Sequence, residues 1–331
     1  MTQPTLALVS PKFHGYWLSL ARACERRGLT VHPHIYDDHR LPRRVLRKLT
    51  HDTAAKAGLS RPFDRLQTRI AISALRRIRP DVVVIIKGDT LGPEFWEEVT
   101  SYRHRALWLY DELRRTQHTA ESLAAASAVA SYSLSDVATL KSSGINAIHL
   151  PLAFDLSTTF TPIKTGGVTF IGARYPKREQ LLLDLNARGV EIRAYGRDWS
   201  DNVIDRVRTL RVKTVGVPNG RDLDRVHAYG VMAGAIATLN IHGDQDGFTM
   251  RTFEAAGVGA VQLIDRPDVR ELYEPDTEIA VFNSTEEAIE LARRALRDRA
   301  WAERIRAGGR KRTLAEHTFD HRVAELEKLW Q

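Results

Sequence analysis

The stretch LNIHGDQDGFTMRTFEAAGVGAVQLI (239–264) gathers the groups best placed to do chemistry. An apolar run ends at His242, a loop of Gly and Asp follows, and a helical pattern begins near Thr249 and stops around Gly257–Gly259. A helix that starts after a glycine loop presents unpaired N–H groups and the positive end of its dipole, which suits a phosphate. Arg251 in its first turn adds a fork-shaped cation. Asp246 before the helix and Glu254 within it supply two carboxylates. A carboxylate accepts from two hydroxyls at once, as a ribose diol offers them. The bland alternative is a solvated Asp and a surface Glu, but Phe253, Ala255 and Ala256 around Glu254 argue for a largely buried helix.

Three further groups sit where short apolar runs end. His14-Gly15 follows TLALV (5–9), Lys87-Gly88 follows DVVVII (81–86), and Asp111 follows ALWLY (106–110). The near-neutral pKa of an imidazole suits proton removal from a hydroxyl, so His14 is the first candidate base and Asp111 the second. Lys87 could orient a phosphate or a second substrate, and an ordinary polar loop remains the alternative for His14. Several signatures are missing: no G-x-G-x-x-G follows a strand, no G-x-x-x-x-G-K-[ST] occurs, and neither G-x-S-x-G nor H-E-x-x-H is present. The single cysteine, Cys24, excludes a disulfide framework and a multi-cysteine zinc site, and makes a reducing cytoplasm the default. No signal peptide and no membrane-spanning run is expected.

The elements that must position these groups alternate along the 331 residues. Strands are expected at 5–9, 29–35, 81–86, 106–110, 128–132 and 145–150, separated by helical stretches. DVVVII is a β-branched run too short for a helix and typical of a strand buried on both faces. LAFDLSTTFTPIKTGG then reads as a linker, after which the alternation restarts with VTFIGA (168–173), VEIRAY (190–195), VKTVGV (212–217), GAIATLNI (234–241), VGAVQLI (258–264) and EIAVF (278–282). The fold class is therefore α/β, with two Rossmann-like, doubly wound parallel-sheet domains facing a cleft. The expected division is 1–155, a linker at 156–166, 167–312, and a terminal helix at 313–331 that packs back toward the first domain.

Charge is uneven. The net charge is +8, yet residues 40–79 alone hold 12 Lys/Arg against Asp52 and Asp64, leaving the rest of the chain near −2. From Phe63 the apolar residues Leu66, Ile70, Ala74 and Ile78 form a helical stripe, with Arg65, Arg69 and Arg76 on a different face. Such a face is either simply solvated or suited to an anionic lipid or polymer. Nucleic acid is disfavoured, because no binding signature accompanies the charge.

In order and spacing, these stretches resemble the nucleotide-sugar site of GT-B glycosyltransferases, and in particular the CgeB-like (spore-protein-type) family. VTFIGARYPKREQLLLDLNARGVEIRAYGRDW (168–199), RTFEAAGVGAVQLIDRPDVRELYEPDTEIAVFNSTEEA (251–288) and RAGGRKRTLAEHTFDHRVAEL (306–326) carry the resemblance, with weaker support from VVVIIKGDTL (82–91) and ALWLYDEL (106–113). It implies a GT-B architecture and transfer of a sugar from a nucleotide-diphosphate sugar to an acceptor hydroxyl. Glu254 would hold the ribose, and Asp246 stands where many retaining enzymes carry a Glu facing the sugar. Gly172, Arg174 and Arg178, with Lys177 as an alternative cation, match the loop near the diphosphate. Gly196 and Arg197 fall near the base. Gly247, Phe248, Thr249 and His242 complete the donor loop, with Arg251 at the leaving group. The acceptor side would use Gly15, Lys87, Arg65, Arg69 and Arg76, with His14 or Asp111 as base. No cofactor and no essential metal is expected, because Arg, Lys and helix N–H groups can neutralise the leaving diphosphate. The implied partners are a nucleotide-sugar donor and an anionic or lipid-linked acceptor, at the inner face of the membrane if the protein is peripheral there. The rival reading is a non-catalytic nucleotide- or glycan-binding protein of the same fold.

Overall fold

The computed structural model describes residues 3–38, 62–210 and 214–330. The chain divides into two compact units, one of Met1–Leu152 with Phe319–Gln331 and one of Ala153–Thr318.

The first unit holds β1 (Thr5–Ser10), α1 (Tyr16–Arg26), β2 (Thr30–Ile35), α2 (Pro62–Ile78), β3 (Val82–Ile86), α3 (Pro93–Val99), β4 (His104–Leu109), α4 (Ala120–Ala125), β5 (Ala128–Ser131), α5 (Leu134–Ser142) and β6 (Ala147–His149). All six strands are parallel in the order β2-β1-β3-β4-β5-β6. Leu6 of β1 lies opposite Val31 of β2 and Val82 of β3. Every residue of β3 is buried, as its unbroken VVVII requires of a strand covered by helices on both faces.

The second unit holds β7 (Val168–Ile171), α6 (Pro176–Ala187), β8 (Ile192–Tyr195), α7 (Val203–Arg208), β9 (Asn219–Gly220), α8 (Arg225–Gly234), β10 (Ala237–Asn240), α9 (Met250–Gly257), β11 (Gln262–Ile264), β12 (Ala280–Val281), α10 (Thr285–Arg297) and α11 (Arg299–Glu316). Its six parallel strands run β12-β11-β10-β7-β8-β9. Numbered within the unit, that is the doubly wound order 3-2-1-4-5-6, which reverses between β7 and β10. Leu182, Leu185, Phe170, Ile192, Leu239, Leu263 and Trp199 fill the core. Residues 156–166 form neither helix nor strand and belong to this unit, where Ile163 N donates to Gly230 O at 2.8 Å.

Two expectations need correction. VKTVGV is not the third strand of the second sheet: 212–213 lie outside the described residues, and the strand is only Asn219–Gly220, opposite Ala194 and Tyr195. Pro218 lacks the N–H that would lengthen it, as suits an edge position. The chain end is also not one helix over 313–331. α11 runs through to Glu316, and a separate α12 (Phe319–Glu327) lies in the first unit, where Arg26 at the end of α1 and the following Arg27 pair with its Asp320 and Glu327.

Candidate functional site

In doubly wound sheets, ligands bind beyond the carboxyl ends of strands where the order reverses. In the second unit that point lies beyond β7 and β10, where the chain places Gly172 and His242.

His242 is 1% exposed and is held by Asp265, the residue that follows β11. One oxygen of Asp265 accepts the His242 backbone N–H at 2.8 Å and lies 3.3 Å from Nδ1. Its other oxygen accepts from Lys177 Nζ at 2.7 Å. Nδ1 faces the carboxylate, and Nε2 is enclosed with no hydrogen-bond partner among the described residues. Such an orphan in a buried polar side chain calls for a reason. The next residue, Arg266, donates to the carbonyls of Gln245 and Asp246, both at 2.8 Å, and its guanidinium lies 4.7 Å from the centre of the Phe248 ring. It thereby fixes the loop that leads into α9.

α9 packs almost entirely inside, Glu254 included at 1% exposed. Its carboxylate pairs with Arg251 at 2.9 Å, one turn earlier on the same helix. Arg251 is thus tied to Glu254, not poised alone. Thr249 stands at the helix start and makes no side-chain cap, Gly247 is buried, and Asp246 is exposed. Asn240, Thr252 and Gln262 form a buried network, with Asn240 Nδ2 donating to Thr252 Oγ1 at 2.9 Å and Gln262 Oε1 at 2.8 Å, so β10, β11 and α9 are locked in register.

The cations of the β7 loop are also engaged. Arg174 forms a two-pronged pair with Glu179. Arg178 donates to Ile241 O at 2.8 Å and Ala173 O at 3.0 Å, stitching the two strand ends together under the Tyr175 ring. Burial lowers its pKa from the usual guanidinium value. Gly196 has φ +150°, and a Cβ there would stand 2.6 Å from Gly172 O, so the β7 and β8 loops meet only because this residue has no side chain. Arg197 is exposed. A cavity of about 450 Å³ opens beside the Lys177–Asp265 pair, lined also by Phe282, Asn283, Ser284 and Thr285, while Arg251 and Glu254 lie outside its wall. The donor-side reading therefore rests on buried polar groups at strand ends, not on that hollow.

Asp265 has a pH consequence. Burial alone would raise its carboxyl, but hydrogen bonds from His242 and Lys177 outweigh this and hold it below the usual carboxylate range. A carboxyl lowered by folding stabilises the fold above its unfolded pKa, about 3.9, and that share is lost as pH falls through the folded value. The melting midpoint should therefore fall on acidification below about pH 4, and Asp265→Asn should flatten part of that fall. An unchanged slope in thermal melts of the variant would contradict the role given to this carboxylate.

The metal expectation also changes footing. Asp244-Gln245-Asp246 is an Asp-x-Asp directly after β10, a pair that the metal-free reading of the sequence overlooked. Among the described residues, no group of three His, Cys, Asp or Glu side chains is placed to hold a metal ion.

In the first unit the strand order reverses between β1 and β3, and the acceptor-side candidates collect at that end. The Lys87 ammonium pairs with Asp111 and lies 5.8 Å from the centre of the Phe13 ring, which packs edge-on against His14. His14 and Lys87 are two of the five described non-glycine residues with positive φ, at +49° and +60°. Strained backbone of this kind collects at functional sites. His14 is exposed, and Gly15, also with positive φ, starts α1. His118 Nε2 lies 2.8 Å from Lys87 O and fixes that turn from behind, where burial lowers the imidazole pKa. The basic face is not uniform: Arg65 and Arg69 are exposed, whereas Arg76 donates to Glu98 at 2.7 and 2.9 Å. Residues 40–61, which carry most of the charge, and the Phe63 side chain lie outside the described residues.

Two doubly wound parallel sheets in two units, with polar groups at both reversal points, make an α/β fold of the kind GT-B enzymes have. Residues 177–328, a little under half of the chain, match the family model described as glycosyl transferase-like. Solved structures agree on the fold. Sucrose-phosphate synthase from Thermosynechococcus elongatus is 14% identical with a TM-score of 0.64, covering 99% of this chain and 98% of that one. Anabaena Alr3699/HepE in complex with UDP-glucose is 12% identical with a TM-score of 0.64, covering 98% and 99%. T4 phage BGT in complex with its UDP-glucose substrate is 12% identical with a TM-score of 0.59, covering 98% and 97%. No curated protein resembles the chain closely enough in sequence to count as a match. No helix among the described residues is long and apolar enough to cross a membrane.

Proposed function

We propose that the protein is a glycosyltransferase that moves a sugar from a nucleotide-diphosphate donor to an acceptor hydroxyl. The observation that carries this is a pair of buried polar side chains, His242 at the second unit's reversal point and Glu254 on the helix that follows. Glu254 is paired to Arg251, and His242 is fixed by Asp265 with Nε2 unpartnered among the described residues, both within the matched segment. In this reading Glu254 receives the ribose hydroxyls, the first turn of α9 and Arg251 face the diphosphate, and His242 accepts from a sugar hydroxyl. The acceptor oxygen attacks the anomeric carbon, the bond from that carbon to the diphosphate breaks, and the acceptor proton passes to His14 or Asp111. UDP-sugars are the first donors to try, since two of the structural neighbours were solved with UDP-glucose. The finer assignments belong to the same proposal: CgeB-like subfamily, hexosyl transfer, and an anionic or lipid-linked acceptor drawn by the basic segment of a cytoplasmic or inner-face peripheral enzyme.

Transfer is proposed to need no metal. Incubating the full chain with a panel of nucleotide sugars and following nucleoside diphosphate release, with and without EDTA, tests both points. The proposal expects release from one donor class, unchanged by EDTA. Loss in chelator with recovery on Mn²⁺ or Mg²⁺ would place Asp244 and Asp246 in the mechanism and remove metal independence.

A further inference from the structure

α7 is built inside out. Of the 13 large hydrophobic side chains exposed among the described residues, four fall within 203–210: Val203 at 73%, Ile204 at 54%, Val207 at 69% and Leu210 at 91%. Val203 and Val207, four apart, share one face of the helix, and Leu210 follows just beyond its C-terminal end. The residue that α7 buries is instead a carboxylate, Asp205, which Arg221 meets at 2.9 Å. A surface helix normally does the reverse. Leu210 is moreover held at φ +53°, a conformation unfavourable for a branched side chain, and in it the side chain stands almost wholly in solvent.

We infer that this exposed apolar segment is a membrane-docking patch whose partner is an anionic lipid surface. Two observations favour lipid over protein. Within 203–210 the chain carries Arg206 and Arg208 against Asp205 alone, and the Asp205 charge is met by Arg221. Apolar side chains flanked by cations are the combination that inserts between anionic headgroups. The exposed side chains are all aliphatic, whereas protein hot spots favour Trp, Tyr and Arg and under-use Leu and Val. The patch belongs to the second unit, on a different element from the basic helix α2 of the first. It does not depend on the reaction proposed above.

The test is co-sedimentation of the full chain with phosphatidylglycerol and with phosphatidylcholine vesicles. The wild type should pellet with the anionic vesicles and not with the zwitterionic ones, less so as salt rises. The triple variant Val203→Ser/Val207→Ser/Leu210→Ser should lose about tenfold or more of that partitioning. Since these side chains are exposed, its melting midpoint should match the wild type. Leu210→Asn, a residue tolerant of this φ, should fold normally and bind more weakly. Wild-type protein that ignores phosphatidylglycerol would overturn the inference, as would a triple variant that binds like wild type. Binding lost only on Arg65→Gln/Arg69→Gln would assign the surface to α2 instead. A wild-type dimer that the triple variant turns to monomer, with no vesicle binding in either, would show a contact between copies.

Discussion

Arg251→Ala is expected to lower the stability of the second unit by about 2–4 kcal/mol. Breaking a fully buried ion pair costs about 3–5 kcal/mol, because the remaining charge stays in low dielectric without its partner. Glu254 is 1% exposed, but the Arg251 side chain keeps 24% exposure, so water recovers part of the cost. The melting midpoint should drop by roughly 5–15 °C. Adding Glu254→Gln to this variant should return most of the loss, since a neutral amide has no charge to strand. Differential scanning calorimetry of the two variants decides it: a single variant as stable as wild type would mean that the pair is not a structural unit. The sequence alone had made Arg251 a dedicated cation for the leaving diphosphate. The structure makes any turnover lost in Arg251→Ala a mixture of chemistry and stability.

Glu254→Gln separates those two effects and is expected to have the largest effect on ligand binding. It keeps the size of the side chain and its burial while removing the charge that accepts from both hydroxyls of a ribose. Loss of a charged hydrogen-bond partner costs about 1–3 kcal/mol, hence about 5- to 150-fold in nucleotide affinity. Arg251→Met/Glu254→Gln should melt close to wild type yet bind nucleotide at least as poorly as Glu254→Gln, since it also removes the cation that faces the diphosphate in the proposed site. A double variant that folds and binds like wild type would show that the pair serves packing alone.

What the sequence made legible follows from chain-local physics. VVVII and VTFI read as buried strands because no polar residue interrupts them, and both lie at the centre of their sheets. The burial of Glu254 was readable from Phe253, Ala255 and Ala256 beside it. Partnering was not readable, because it crosses the sheet: Lys177 meets Asp265 across 88 positions and Arg178 meets the Ile241 carbonyl across 63. Asp265 and Arg266 escaped the sequence reading for the same reason. Their signal was two adjacent charges placed directly after the apolar strand VQLI, where a doubly wound sheet puts its ligands. The apolar stripe of α7 was read only as another helix, since its spacing fits a core-facing stripe as well as an exposed one.

The second unit is expected to bind a nucleotide sugar through the Arg251–Glu254 pair. Isothermal titration of UDP and UDP-glucose into the full chain, wild type against Arg251→Met/Glu254→Gln, tests it most directly, with GDP and TDP as further probes. Saturable binding of one nucleoside diphosphate at one site is expected, with loss of about 5-fold or more in the double variant at unchanged melting midpoint. No saturable binding of any of these nucleotides, or equal affinity in the two proteins, would contradict it.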